Sequence, residues 1–312
     1  MRQVHPATYL FAARALRDFG DGFVAVLLPV YLLALGFDAL QVGVVATASL
    51  LGSALLTIGV GFVGPRYDHR QLLLSAASLM IATGVAFALV HDYALLLVIA
   101  FAGTINPSAG SVSVFVPLEH AALTREVTDV NRTKMFARYS LIGALAGAFG
   151  ALAAGAPDLM APVGFDQLTV IKLMFVLYAL LGMAGGVLYA RIPRRPPVLD
   201  KGATAALGPS RTIVFKLAAL FSLDAFAGGF VVQSLLALWL FERFDMSLSA
   251  AGLFFFWSGV LSAFSFPVAA WLSRHIGLIN TMVFTHIPSS FALMLAALAP
   301  TLPIALALLL IR

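Results

Sequence analysis

Cysteine is absent from the 312 residues. That excludes disulfides, thiol nucleophiles and thiolate metal sites, and it leaves the redox compartment open. Charge is scarce as well, at 11% of residues, where a soluble domain carries about 25%. A soluble enzyme, a secreted disulfide scaffold and a disordered chain are excluded together. The sequence has no H-E-x-x-H, no phosphate-binding loop and no G-x-S-x-G, so zinc hydrolysis, ATP-driven pumping and serine hydrolysis have no support. His91–Asp92 and Glu119–His120 are adjacent pairs at expected helix ends and lack metal-ligand spacing. We expect no enzyme activity, no cofactor and no metal. A cleavable signal peptide is excluded because the first apolar stretch contains Arg14, Arg17, Asp18 and Asp21.

What remains is apolar. Hydrophobic residues make up 61% of the chain, and mean hydropathy is +1.00. That is about 190 residues, enough for about nine spans at roughly 20 each. The runs are continuous rather than alternating with period two, which argues against a β-barrel. Their breaks predict nine helices over 8–34, 40–63, 72–90, 94–117, 137–156, 169–190, 213–240, 248–272 and 279–298, with a tenth starting near 301.

Basic residues fall on one side of this arrangement. Arg2, Arg66, Arg70, Arg125, Arg132, Lys134, Arg138, Arg274 and the six Lys and Arg from Arg191 to Lys216 occupy alternate loops; Lys172 and Arg243 occupy the others. The bias places the N-terminus in the cytoplasm. The net charge of +5 then reflects orientation and anionic lipid rather than nucleic acid. The stretch 191–212, RIPRRPPVLDKGATAALGPSRT, is basic and Pro-rich and reads as a cytoplasmic linker between halves at 1–190 and 213–312. N-R-T at Asn131 fits a glycosylation sequon but sits on the cytoplasmic side.

An internal repeat supports two halves. GDGFV at Gly20–Val24 matches AGGFV at Ala227–Val231 with an offset of 207, and Gly43 matches Gly252 with an offset of 209. A first half ending near Arg195 predicts a copy ending near residue ~403, so we expect the sequence to be C-terminally incomplete.

After the second helix comes GFVGPRYDHR, Gly61 to Arg70, with a degenerate copy, AWLSRHIGLI, after the eighth. This resembles the G-x-L-A-D-R-x-G-R-R loop of the major facilitator superfamily. Gly61, Gly64, Arg66 and Arg70 match; Pro65 replaces the family's Asp and Asp68 its Gly. The resemblance implies an all-α membrane fold of two pseudo-symmetric six-helix halves, the second incomplete, with about nine to ten membrane helices present. It implies that Gly61, Gly64, Arg66, Asp68 and Arg70 form a cytoplasmic gating motif, with the glycines admitting close helix approach. The fifth helix, GALAGAFGALAAG from Gly143 to Gly155, resembles the glycine-rich helix of the drug–proton antiporter branch. It lacks that branch's G-P-x-x-G-G ending, and ordinary small-residue packing explains it too.

Charge within a membrane is costly and marks a functional hypothesis. At about 100° per residue, Arg14, Arg17, Asp18 and Asp21 share a wedge of about 100°, with Asp18 about 15 Å and Asp21 about 20 Å along the helix. They are candidate proton-coupling residues facing a central cavity; the other reading is a helix–helix ion-pair clamp with snorkelling arginines. Asp224 lies at nearly the repeat-equivalent depth and is either a coupling carboxylate or a packed, protonated one. Asn106, in the Pro-interrupted fourth helix, and Gln233 are candidate cavity residues, or structural amides.

The function expected from this resemblance is a secondary active transporter of a small solute, proton-coupled and exporting, working by alternating access. It would be a multi-pass monomer in the plasma (inner) membrane, with solute, H+ and the lipid bilayer as its partners and no nucleic acid. The alternative is a non-transporting sensor or scaffold of the same fold, motivated by Pro65.

Overall fold

The computed structural model describes residues 5–109, 112–126, 129–194 and 211–311. The chain forms α1 (Pro6–Ala34), α2 (Ala39–Val63), α3 (His69–Leu89), α4 (Tyr93–Ala102), α5 (Phe115–Thr124), α6 (Asp129–Ala153), α7 (Ala156–Met160), α8 (Gln167–Ala190), α9 (Arg211–Gly229), α10 (Gln233–Phe244), α11 (Leu248–Ile276), α12 (Leu278–Ala297) and α13 (Leu302–Ile311). The scarce acids have a clear local use. Asp38, Asp68, Asp92 and Asp166 each cap a helix N-terminus by accepting a backbone N–H, which satisfies a donor that no turn of the helix can reach.

Among the described residues six helices are long and apolar enough to cross a membrane, fewer than the nine full spans expected. The shortfall has physical causes. α1 carries four charges in its first sixteen residues. The expected fourth span, 94–117, is divided into α4 and α5 around a non-helical stretch, and the seventh, 213–240, is divided into α9 and α10. α13 is ten residues long. The fifth helix starts earlier than expected, at Asp129.

Glycine sets the closest crossings. A Cβ at Gly22 of α1 would collide with the Gly147 carbonyl of α6, and one at Gly150 of α6 would collide with the Phe19 carbonyl of α1. α11 approaches the same helix from the other side, where a Cβ at Gly252 would lie 2.7 Å from the Ala151 carbonyl and one at Gly259 would lie 2.8 Å from the Ala148 Cβ. α6 is thus clasped between α1 and α11 and joins the first eight helices to the rest. Gly43, Gly59, Gly61 and Gly64 face open space. The close approach expected at Gly61 and Gly64 is therefore not made by any described residue.

The two helix breaks meet. Pro29 lies within α1 and has no N–H for the Ala25 carbonyl one turn back. The Ser234 hydroxyl, in the first turn of α10, donates to that carbonyl at 2.6 Å. The Ser234 N–H donates to the Pro107 carbonyl in the α4–α5 break at 3.0 Å. Beyond the other end of α10, the Ser249 N–H donates to Asp158 Oδ2 at 2.8 Å. These bonds close one end of the seam between the α1–α8 and α9–α13 groups.

Gly150→Leu is expected to destabilise the protein by about 1–3 kcal/mol or to prevent its folding, because the side chain has no volume to occupy. Gly59→Leu, in open space, should leave the melting temperature of the detergent-solubilised protein unchanged. Equal effects would sink the crossing argument.

Candidate functional site

The four charges of α1 lie on one face, as their spacing dictates, and three are almost fully buried: Arg17 is 3% exposed, Asp18 2% and Asp21 1%. Arg14 Nε pairs with Asp18 Oδ2 at 2.7 Å. Arg17 Nη1 bridges Asp18 Oδ1 at 3.0 Å and Asp21 Oδ2 at 3.4 Å. Arg17 Nη2 reaches across to Glu119 Oε2 on α5 at 3.1 Å. Both guanidinium groups also lie over aromatic faces, Arg14 at 4.6 Å from the Tyr139 ring centre and Arg17 at 5.1 Å from that of Phe115.

Three tyrosines complete the network. Tyr139 of α6 donates to Glu119 Oε2 and accepts from Arg14 Nη1 at 3.2 Å. Tyr189 of α8 donates to Glu119 Oε1 at 2.5 Å. The Tyr178 hydroxyl, also from α8, lies 3.3 Å from Asp21 Oδ1 and 3.1 Å from the Thr104 carbonyl in the α4–α5 break. Sequence reasoning had set Glu119 aside as half of a helix-end pair. It is 0% exposed and accepts from three side chains.

Part of the network borders a cavity of about 420 Å³. Arg14 and Asp18 line it from α1. Ser140, Gly143, Ala144 and Gly147 form a smooth wall on α6, while Gln233 of α10 and Phe255, Ser258 and Ser262 of α11 face them. The wall is smooth for a reason. A Cβ at Gly143 would strike the Asp18 carboxylate and lie 2.6 Å from Arg14 Nε. Phe255 at the inner end is buried, whereas Ser140, Ser262 and Phe266 are exposed. The cavity is therefore shut at the end closed by Ser234 and Ser249 and open at the end where α1 begins.

The other candidates distribute as follows. Gln233 lines the cavity. Asn106 does not: its Nδ2 donates to the Val112 carbonyl at 2.5 Å and its Oδ1 accepts from the Ser108 N–H at 2.9 Å. The amide holds the α4–α5 break together, and the cavity is lined there by Ser108 and by Ala109, whose φ of +49° is unusual for a non-glycine residue. The side chain of Asp224 lies outside the described residues, as does Ser111. In the Gly61–Arg70 loop, Arg66 is exposed and Asp68 caps α3. Asp68 and Arg70 share a small cleft with Arg125, Glu126 and Ile192, so this loop packs against α5 and the end of α8. Among the described residues no group of three or more His, Cys, Asp and Glu side chains is placed to hold a metal ion.

Residues 10–312 match the family model of the Major Facilitator Superfamily. An uncharacterized membrane protein, YJR124C of Saccharomyces cerevisiae, is 23% identical, over 93% of this chain and 72% of its own length. The fold is similar to that of a bacterial homologue of the human lysosomal transporter Spinster in an inward-facing, occupied conformation, with a TM-score of 0.72 and 18% identity over 98% of this chain and 70% of that one. The nucleoside transporter NupG gives 0.68 and 16%, covering 98% and 77%. A bacterial homologue of the iron transporter ferroportin, inward-facing, gives 0.64 and 17%, covering 100% and 80%.

Arg17→Leu is expected to cost about 3–5 kcal/mol, the penalty for leaving buried charges uncompensated. The double variant Arg17→Leu/Glu119→Leu removes one charge of each sign and should recover much of that loss. Melting curves in detergent measure both; a double variant no better than the single would sink the pairing.

Proposed function

Because the chain belongs to the Major Facilitator Superfamily, we propose that it is a secondary active carrier that moves a small solute by alternating access. The observation that carries this reading is the cavity between α1, α6, α10 and α11, open at one end, with a buried charge network in its wall. Carriers of this kind place solute and ion sites near the middle of the bilayer, where discontinuous helices meet. The breaks at α4–α5 and α9–α10 meet through the Ser234–Pro107 bond. A scaffold has no need of an open cavity with charge in its wall.

On the positive-inside argument the N-terminus is cytoplasmic, so the open end faces the cytoplasm and the present state is inward-facing. Proton movement is proposed to drive the cycle. Asp18 is the carboxylate of the network that lines the cavity, and Arg17 ties it to Asp21 and Glu119. One charge crossing a potential of 100 mV supplies about 2.3 kcal/mol. The serines and Gln233 offer hydrogen bonds, and Phe255 and Phe266 offer apolar surface, so the cavity suits a small amphipathic solute. Export through the plasma or inner membrane, by a single chain, completes the proposal.

Two measurements test it. In proteoliposomes, Asp18→Asn should abolish pH-driven solute flux while the variant remains folded; undiminished flux would remove Asp18 from the mechanism. Ser234→Ala should favour opening of the closed end, because the Ala25 carbonyl loses its donor. The chain has no cysteine, so Ala237→Cys, at a position of α10 that is 0% exposed, provides a unique label site. Its reaction with a maleimide should speed up several-fold in the Ser234→Ala background, and an unchanged rate would show that the bond does not hold the gate.

A further inference from the structure

The cavity is bounded by hydrogen-bonding groups that the protein itself leaves unpaired. A serine hydroxyl within an apolar helix is ordinarily met by a carbonyl one turn back, and Ser265 and Ser273 of α11 donate in this way at 2.7 and 3.0 Å. Ser258 and Ser262 of the same helix, and Ser140 of α6, line the cavity, and their hydroxyls bond to no described residue. The side-chain amide of Gln233 has no described partner either. Phe255, Ser258, Ser262 and Phe266 follow one another at intervals of three or four residues and so share one face of α11. Two hydroxyls therefore sit between two rings, Phe255 at the inner end and Phe266 at the open end, with Ser140 on the opposing helix.

The charges in the wall disfavour a charged solute of either sign. Among the described lining residues only Arg14 and Asp18 carry charge, and they lie 2.7 Å from each other. Arg14 is the more exposed, its side chain at 11% against 2% for Asp18. A cation entering the cavity meets the guanidinium before the carboxylate. An anion would draw Arg14 away from Asp18 and leave the carboxyls of Asp18, Asp21 and Glu119 to Arg17 alone, and a buried charge deprived of its partner is costly. A neutral oxygen disturbs neither group. Arg14 Nη2 is placed to receive one. Its Nε faces Asp18, and its Nη1 donates to Tyr139 Oη at 3.2 Å. Nη2 has no described partner and lies against the cavity wall, where a Cβ at Gly143 would stand 2.9 Å from it.

We propose that the site takes an uncharged solute with several hydroxyl groups and an apolar face, a polyol or glycoside in chemical class. Arg14 Nη2 donates to one of its oxygens. Ser140, Ser258 and Ser262 exchange hydrogen bonds with its hydroxyls, and Phe255 and Phe266 cover its apolar surface. A hydroxyl both donates and accepts, so it suits a fixed donor such as Nη2, a rotatable serine and either end of the Gln233 amide. The cavity volume of about 420 Å³ falls within the range of small-molecule sites. The inference rests on the carrier reading of this cavity and narrows its solute.

Four probes on one skeleton test it. They are phenyl β-glucoside, its cationic 6-amino-6-deoxy analogue, the anionic phenyl glucuronide, and phenyl tetrahydropyranyl ether, which keeps the ring without the hydroxyls. Binding is measured by titration calorimetry on the purified chain in a sugar-free detergent, since a glycoside detergent would compete for the site. The neutral glucoside should bind at least ~10-fold more tightly than each of the others, two or more hydrogen bonds being at stake. Ser258→Ala/Ser262→Ala should weaken it by about 25-fold, about fivefold for each hydrogen bond. Ser265→Ala, on the same helix but bonded to its own backbone, should leave the affinity unchanged. Equal or tighter binding of a charged analogue or of the ether overturns the proposal. So does full affinity in the double serine variant, or no binding of any probe. The four-probe comparison uses the unmutated chain, so a misfolded variant does not obscure the answer. Glucoside binding without glucoside flux in proteoliposomes would sink the carrier reading alone. Proton-driven flux of a solute without hydroxyls would sink this proposal and leave the carrier reading standing.

Discussion

The buried guanidinium of Arg17 is the constraint on which the first group of helices depends. Taken out of water, that charge costs several kcal/mol unless acceptors surround it. One helix cannot surround it. Asp18 and Asp21 come from its own turns and share Nη1, but Nη2 needs a partner from another element, and Glu119 of α5 supplies it. Glu119 in turn is a buried anion and requires donors, which arrive as Tyr139 from α6 and Tyr189 from α8. One charge therefore fixes the relative positions of four helices. Removing one partner exposes the next, so the set is coupled rather than additive.

Close packing around this charge depends on small residues. In a membrane the helices gain nothing from leaving water and associate through contact and hydrogen bonding. The glycines of α6 let α1 approach until backbones touch, bringing the Arg14–Asp18 pair against the helix with no side chain between. The same helix then presents Ser140, Gly143, Ala144 and Gly147 to the cavity. A bulkier residue at Gly143 would fill that part of the cavity and displace the ion pair. Small size there serves packing and access together.

Much of this was legible in the sequence. The scarcity of charge gave the membrane class, and the wedge at Arg14, Arg17, Asp18 and Asp21 gave the α1 face. The loop at Gly61–Arg70 gave the family by resemblance. Glu119 escaped because the fourth helix was expected to end at 117, which placed it in a loop. The signal was present as a lone acid within the apolar run VFVPLEHAALT, whose periodicity continues past the proline. Tyr178 lies mid-way along an apolar helix, where a hydroxyl needs a partner; that too was readable. Asn106 misled because an amide beside a proline marks a break, and the amide here bonds to the backbone of the break itself. The helix count differed because continuous hydropathy does not register an unwound segment whose polar groups are met by Thr83, Tyr178 and Ser234.

The seam between the helix groups follows a different logic from the charge network. The network's charged groups and tyrosines all belong to α1, α5, α6 and α8, so it makes the first group rigid. The described polar bonds across the seam are few and gather at the closed end, at Ser234 and Ser249. Pro29 makes the first of these useful: it frees the Ala25 carbonyl, and an unmet carbonyl in a bilayer costs several kcal/mol. In the closed state Ser234 meets it. In an open state water entering the gap can do so, at little net cost, since a hydrogen bond exchanged for one to water is worth about 1 kcal/mol. A carbonyl held inside the α1 ladder could not change partners in this way. On the proposed alternating-access cycle the proline therefore gives the seam a bond that is satisfied in both states, while the costlier charges stay within one group.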